Sequence, residues 1–327
     1  MRAVVITKHG DPEVLELVEV PDPACGSEDL RVRVHATALN RADLLQRRGL
    51  YPQPGPAPEF EIPGLEYAGE VLEVGERADG FAVGDRVMGI LAGGGYAETV
   101  VIHHRLAVAV PDALSFTDAA AVPEAFITAH DALDQCGLRA GASVLVHAAG
   151  SGVGVAAIQI ARVAGATPII GTAGSDAKLE AAAALGLDVM IDYKTKDFAA
   201  ETLAATDGAG VDIIVDFVGA SYLERNVRAL AEKGRLIVIG MLGGIKAELN
   251  LAALLAKRGH IIGTLLRARP LEEKAAATRA FEAAVVPHLA AGRVRPVVDR
   301  VFAFDDVVEA HRYMETNANF GKIVLEL

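Results

Sequence analysis

From about residue 119 to residue 265, short continuous apolar runs alternate with amphipathic stretches of helical length. "SVLVHAA" leads into "GVAAIQIARVAG", and "ATPIIGTAG" into "SDAKLEAAAALG". "LDVMIDY" follows, then "VDIIVDFVG" with "SYLERNVRALAEKG", "RLIVIG" with "NLAALLAKRG", and finally "HIIGTLL". Strands without an alternating polar face are buried on both sides, which predicts an α/β fold with a parallel sheet covered by helices. Six strands is the number expected of a doubly wound sheet that holds a dinucleotide.

The first strand–helix junction admits a rival reading. Residues 140–161 contain no Asp, Glu, Lys or Arg, and about 20 apolar residues cross a bilayer. That reading fails on content, because His147, Gly150, Ser151, Gly152 and Gly154 would break the backbone where polar groups have no partners. The strand–turn–helix reading uses the same residues well. Val144–Val146 form the strand, the glycines turn the backbone tightly, and the free N–H groups of the helix start point toward an anion such as a pyrophosphate. Ala149, Gly150, Ser151, Gly152, Val153 and Gly154 are therefore the candidate phosphate loop. The loop departs from G-x-G-x-x-G, with Ala149 and Ser151 at the first two glycine positions. Its place after the first of six strands is the supporting context.

The end of the second strand bears on which dinucleotide binds. An NAD site usually places an acid about 20 residues past the glycines, to hold the ribose 2′-OH. Here that point reads "GTAGSDAK", and the acid position is Ala173. Gly174, Ser175 and Lys178 are then candidates for a 2′-phosphate, with Tyr193 reaching in from "IDYK". One charge-assisted hydrogen bond contributes about 1.5–3 kcal/mol, enough to favour NADP about ten- to a hundredfold. The competing reading makes Lys178 a solvated helix lysine and gives the ribose to Asp176. The pattern favours NADPH.

Residues 1–118 read as β-rich, with strands in "LRVRVHATAL", "YAGEVLEVG" and "YAETVVI" around a Pro- and Gly-rich loop at 49–64. Residues 266–327 hold two helical stretches and a final strand, "GKIVLEL", which return to this first domain. The expected division is 1–118 with 266–327, and 119–265. A net charge of −12 without a dense Lys/Arg cluster disfavours nucleic acid. Cys25 and Cys136 form no CxxC, which fits a reducing cytoplasm. The N-terminal segment lacks the pattern of a signal peptide, so a cytoplasmic protein without a membrane segment is expected.

The segments "ALNRADLLQRRGLYPQP" (38–54), "AAAVPEAFITAHDAL" (119–133), "TAGSDAKL" (172–179) and "ANFGKIVLEL" (318–327), with "GLE", "GDRV" and "GGGYAE", carry a family resemblance. The whole chain resembles a zinc-independent medium-chain dehydrogenase/reductase. The similarity is greatest to the NADPH:quinone oxidoreductase branch, including its tumour-suppressor-inducible members. It implies a GroES-like β-rich catalytic domain plus a six-stranded Rossmann domain, with hydride transfer in the cleft between them. It also implies Asn40, Tyr51 and Thr128 around the nicotinamide and a small-molecule quinone, and Asn319 at the cofactor. Zinc-dependent relatives place a Cys where Asn40 stands and a His where Leu65 stands, and nothing from Gly89 to Tyr96 supplies thiolates, so no metal is expected.

Without a Lewis acid an alkoxide is not stabilised, whereas a quinone accepts hydride and becomes aromatic. Asn40 is either a donor to a quinone oxygen or a turn-capping residue. Tyr51 either caps the cleft or anchors the loop, and Asp43 holds that loop. Gly219 and Gly240 either line the cofactor crevice or serve as left-handed αL caps. The expected activity is NADPH-dependent, metal-free quinone reduction, ortho-quinones included. The alternatives are a 2-alkenal/enone reductase, with Tyr51 as acid, and a crystallin-like NADPH-binding protein. "HIIGTLL", His260 to Leu266, would be an exposed sheet edge in a monomer, which predicts a homodimer joined there.

Overall fold

The computed structural model describes residues 1–51, 53–55 and 58–327. The chain divides into two compact units, one of Met1–Ile127 with Leu266–Leu327 and one of Thr128–Leu265. In chain order the first unit begins with β1 (Arg2–Ile6), β2 (Leu15–Glu19), β3 (Asp29–Ala38), β4 (Glu66–Val74), β5 (Arg86–Ile90), β6 (Thr99–His103) and β7 (Ala107–Ala109). The second unit holds β8 (Val144–Val146), β9 (Ile169–Ala173), β10 (Val189–Asp192), β11 (Val211–Asp216), β12 (Leu230–Val238) and β13 (His260–Gly263). β14 (Val298–Ala303) and β15 (Lys322–Glu326) complete the first unit.

The six strands of the second unit lie in the order β10-β9-β8-β11-β12-β13, with every neighbouring pair parallel. Counted from β8 this is 3-2-1-4-5-6, the doubly wound order whose reversal point opens beside β8. β8 and β9 are buried at every residue, which explains their continuous apolar sequence. Leu145, Ile170, Ile191, Ile214 and Leu236 form the core with Phe198 and Tyr222. The uncharged run at 140–161 breaks into β8 and a helix at Gly152–Val163. Among the described residues no helix is long and apolar enough to cross a membrane.

The edge strand is shorter than expected. β13 stops at Gly263, and Leu266, expected as its last residue, belongs to the first unit and is buried. A continuous apolar run cannot mark where one unit ends and the next begins.

In the first unit, β14-β15-β3-β4-β5-β7 form one sheet, with β6 also paired to β3. β3 buries Leu30, Val32 and Val34 and turns its arginines outward, the alternation of a strand with one covered face. β15 inserts between β14 and β3, so the chain's end returns to this unit. The boundary falls at 127/128 rather than 118/119, because the helix Phe116–Ala120 packs on β3 and β4. Residues 266–327 contain three helices, Leu271–Ala284, Val286–Ala290 and Val307–Glu315, where two were expected. The first two separate at Pro287, which has no N–H to continue the ladder.

Candidate active site

The polar centre of the first unit starts at Asn40, which caps the helix Arg41–Arg47. The Asn40 backbone N–H donates to Asp43 Oδ2 at 2.7 Å, the reciprocal half of a capping box. Asp43 also accepts from the Tyr96 hydroxyl at 3.1 Å and the Gly64 N–H at 3.3 Å. It thereby ties the helix start to the end of the 49–64 loop. Burial pushes the Asp43 carboxyl up to about 6, against the opposing hydrogen bond from Asn40.

The Asn40 side chain donates from Nδ2 to Glu66 Oε1 at 2.8 Å and to the Ala38 carbonyl at 3.2 Å. Its Oδ1 accepts from Lys322 Nζ at 2.6 Å. Lys322 Nζ also donates to the Leu39 carbonyl at 2.7 Å and lies 2.7 Å from Glu66 Oε1. Glu66 Oε2 accepts from the Glu124 N–H at 2.8 Å. A lysine has three donors, and all three are committed. Both Asn40 N–H groups are committed as well, so the expected donation to a quinone oxygen requires one of them to be released. In this structure Asn40 is an anchor.

Glu124 lies on the wide π-turn Pro123–Ile127, a conformation often found at functional sites. The residue as a whole is half-buried. Burial, then the neighbouring Glu66 charge, push its carboxyl up to about 8, against the pull of Lys322 and Arg267. Tyr51 is also half-buried, with the Arg267 guanidinium 4.7 Å from its ring centre. Arg267 donates to the carbonyls of Ala92 (2.7 Å) and Tyr51 (3.2 Å) and to Gln46 Oε1 (3.0 Å). Burial raises the Tyr51 phenol, and the Glu124 charge adds to it.

The structure thus brings Asn40 and Tyr51 into one cluster with Glu66, Glu124, Arg267 and Lys322, which the sequence reading missed. "GLE" and "VPEAF" were visible, but nothing local announces their partners. Asn319, 8% exposed, donates to the Gly321 carbonyl at 3.0 Å in the turn that leads into Lys322.

In the second unit the candidate phosphate loop is tightly built. Ala148 has φ +47°, the Ala149 N–H donates to the Thr172 carbonyl at 2.9 Å, and Ser151 Oγ accepts from the Gly154 N–H at 3.0 Å. A Cβ on Gly154 would stand 2.4 Å from the Ala148 carbonyl oxygen, so only glycine fits there. Gly150, Gly152 and Val153 complete the loop and the first helical turn.

Behind the loop lies a buried chain of side chains. Asn226 Nδ2 donates to Asp216 Oδ2 at 3.0 Å. Its Oδ1 therefore accepts from His147 Nε2 at 2.7 Å, and His147 Nδ1 accepts from Thr172 Oγ1 at 3.0 Å. Burial pushes His147 down to about 4 and Asp216 up to about 6. These bonds stitch together the ends of β8, β9 and β11, where ligands bind in open α/β sheets.

At the end of β9, Ser175 caps the helix Asp176–Ala183 without a side-chain capping bond. A Cβ on Gly174 would stand 2.7 Å from the Tyr193 hydroxyl, so Tyr193 does reach this corner. Lys178 follows one turn along the helix. Gly219 has φ +79°, and a Cβ there would approach the Gly244 carbonyl to 3.0 Å. A Cβ on Gly240 would lie 2.9 Å from the Phe217 carbonyl oxygen. These two glycines let the loops after β11 and β12 touch. Thr128 opens the helix Thr128–Gln135, and its Oγ1 is buried without a partner among the described residues, the kind of unsatisfied group that a ligand explains. Glycine cradle, helix N-terminus and orphaned hydroxyl together fit a dinucleotide.

Among the described residues no group of three or more His, Cys, Asp or Glu side chains is placed to hold a metal ion.

Residues 26–112 match the alcohol dehydrogenase GroES-like domain, and residues 152–282 match the zinc-binding dehydrogenase family. The chain is 39% identical over 204 residues to the human synaptic vesicle membrane protein VAT-1 homolog, over 62% of this chain and 51% of that protein. It spans about half the length, or less, of the curated relatives it matches. Among solved structures, an NAD-dependent alcohol dehydrogenase is 36% identical with a TM-score of 0.89, and the match covers 100% of both chains. The Escherichia coli quinone oxidoreductase complexed with NADPH is 28% identical with a TM-score of 0.90, again over 100% of both chains. A GroES-like β unit joined to six parallel strands in doubly wound order, matched from end to end, makes this chain a member of the medium-chain dehydrogenase/reductase family, among its quinone-oxidoreductase-like proteins.

Proposed function

We propose that this oxidoreductase is an NADPH-dependent, metal-free quinone reductase, with ortho-quinones among its acceptors. The observation that carries the reading is the Lys322 ammonium, bonded to Asn40 Oδ1 and Glu66 Oε1. These residues hold or adjoin the sequence positions where zinc-dependent relatives place Cys and His. A fixed cation there opposes a second, divalent one by like-charge repulsion.

Bound NADPH supplies the hydride. The chain's own residues do the rest: the loop Ala149–Gly154 receives the pyrophosphate, and Gly174, Ser175, Lys178 and Tyr193 take the 2′-phosphate. Thr128 orients the nicotinamide end, and Tyr51, clamped by Arg267, shapes the acceptor site. The absence of an acid at Ala173 and the NADPH bound to the E. coli relative support this cofactor. The NAD-dependent relative makes NADH the comparison that matters.

The test is oxidation of NADPH and of NADH with an ortho-quinone, a 2-alkenal and a simple ketone, each with and without a chelator. Quinone turnover with NADPH that ignores the chelator is the expected result. Chelator-sensitive ketone turnover refutes it, and faster enal turnover moves the assignment to enone reduction. NADPH binding without turnover moves it to a crystallin-like role.

We further propose a homodimer through β13, in the cytoplasm. β13 is the sheet edge, and Ile261, Leu265, Met241, Leu242, Ile245, Leu251 and Leu255 of the same unit are exposed, an apolar surface that a partner copy would cover. Light scattering that finds a monomer at micromolar concentration overturns this. The free Cys25 and Cys136 suit a reducing compartment, and recovery in a non-cytosolic fraction would contradict that location.

A further inference from the structure

A quinone that gains a hydride becomes the hydroquinone monoanion, and one proton on its oxyanion completes the hydroquinone. An enone that gains a hydride becomes an enolate and likewise takes one proton. In either case NADP⁺ is the other product. The groups clustered in the first unit differ sharply in their ability to supply that proton.

Asn40 and Gln46 are amides. The Lys322 donors are committed to Leu39, Asn40 and Glu66. Glu66 is fully buried and faces donors only, from Asn40, Lys322 and the Glu124 backbone. Asp43 is fully buried and faces three donors of its own. Tyr51 is pushed further above the ordinary phenol range, chiefly by burial. Glu124 is different. Its backbone is pinned to Glu66, the residue is half-buried where Glu66 and Asp43 are fully buried, and its carboxyl oxygens are engaged by no hydrogen bond of the described residues.

We propose that Glu124 is the proton donor of this reaction, passing its carboxyl proton to the oxyanion or enolate left by hydride addition and recovering one from solvent. The proposal rests on the oxidoreductase reading above. The geometry suits the task, because the Glu124 N–H is held 2.8 Å from Glu66 Oε2, and Lys322 and Asn40 hold Glu66 in turn. The π-turn thus fixes Glu124 at this cluster, where it feels the charge of Arg267 and acts on the Tyr51 phenol. The charged and titratable groups facing it are Glu66, Asp43, Lys322, Arg267 and Tyr51. Burial and Glu66 outweigh the two cations, so the carboxyl is pushed up to about 8 and keeps its proton at neutral pH. A general acid works best when its pKa lies near the operating pH.

The experiment has two arms. In the first, carboxyl-carbon NMR of the cofactor-free protein follows glutamate titrations, with Glu124→Gln assigning the resonance; a midpoint near 8 is expected. In the second, NADPH affinity is measured by fluorescence, and turnover with the quinone and the enal is followed against pH in H₂O and D₂O. Glu124→Gln should leave NADPH affinity unchanged, lower kcat about a hundredfold, and abolish both the alkaline fall in kcat and the solvent isotope effect. Glu124→Asp should restore part of the rate.

A Glu124 carboxyl that titrates in the ordinary glutamate range overturns the proposal. So does a Glu124→Gln enzyme with wild-type kcat and pH profile, an outcome that leaves the reductase reading intact. A wild-type protein that binds NADPH but oxidises it with no acceptor overturns the reductase reading and this proposal with it.

Discussion

The Lys322 ammonium stands 2.6 Å from the Asn40 amide oxygen, although 282 positions separate the two residues. Two β-strand ends and a helix cap meet at that contact, and Glu66 closes it as an ion pair that is 6% and 0% exposed. Such a pair is costly to assemble in a dry interior and more costly to break, because removing one partner strands the other charge.

Lys322→Met should therefore destabilise the fold by about 3–5 kcal/mol, read from urea unfolding. Adding Glu66→Gln to that variant should recover part of the loss, since the stranded carboxylate is gone. A double variant no better than the single one would show that the pair is not energetically coupled.

Gly154→Ala and Gly174→Ala look alike in sequence and should behave differently. The first new methyl meets a backbone carbonyl at 2.4 Å, the second a tyrosine hydroxyl at 2.7 Å that can swing away. Gly154→Ala is expected to weaken NADPH binding by about a hundredfold or more, an affinity change of roughly 3 kcal/mol. Gly174→Ala should cost less than tenfold. Calorimetric titration of both variants decides the matter.

Ser175→Ala should weaken NADPH about tenfold and leave NADH almost unchanged, because a hydrogen bond to a charged group contributes about 1.5–3 kcal/mol. Equal losses for both cofactors would place Ser175 away from the 2′-phosphate.

The His147 network makes a prediction about acid. His147 is lowered from 6.5 to about 4 by burial, so its contribution to stability is whole above pH 6.5 and is lost as pH falls through 4. Asp216 has the opposite sign: raised from 3.8 to about 6, it favours the fold most below pH 3.8 and loses that contribution as pH rises through 6. His147→Gln should remove the first slope, a change on the order of 2–3 kcal/mol between pH 7 and pH 4. Chemical unfolding at stepped pH measures it.

Arg267 supplies both a hydrogen-bonding fork and a face over Tyr51. Lysine keeps the charge but has neither. Arg267→Lys should raise the acceptor KM about tenfold while NADPH affinity stays constant. A rise in NADPH dissociation instead would place Tyr51 at the cofactor rather than the acceptor.

Much of the architecture was legible in the chain alone. The six strands were read from continuous apolar runs, the tight turn into the helix Gly152–Val163 from its glycines after the first of them, and the C-terminal return from "GKIVLEL". These are local signals, set by periodicity and by backbone sterics within a dozen residues. The misplaced ends share one cause. Nothing within "HIIGTLL" distinguishes Gly263, where β13 stops, from Leu266, which the other unit buries.

What the sequence by itself determined is the order of elements, the class of fold and the place of the glycine turn after the first parallel strand, because hydrophobic period and glycine conformation are properties of short segments. Only the tertiary structure decided that Lys322 would reach Asn40 and Glu66, that Arg267 would clamp Tyr51, and that the Glu124 backbone would be pinned to a fixed carboxylate. Those facts depend on which distant groups share a dry space. Charge is felt through distance and desolvation, and neither quantity is written in a stretch of neighbouring letters.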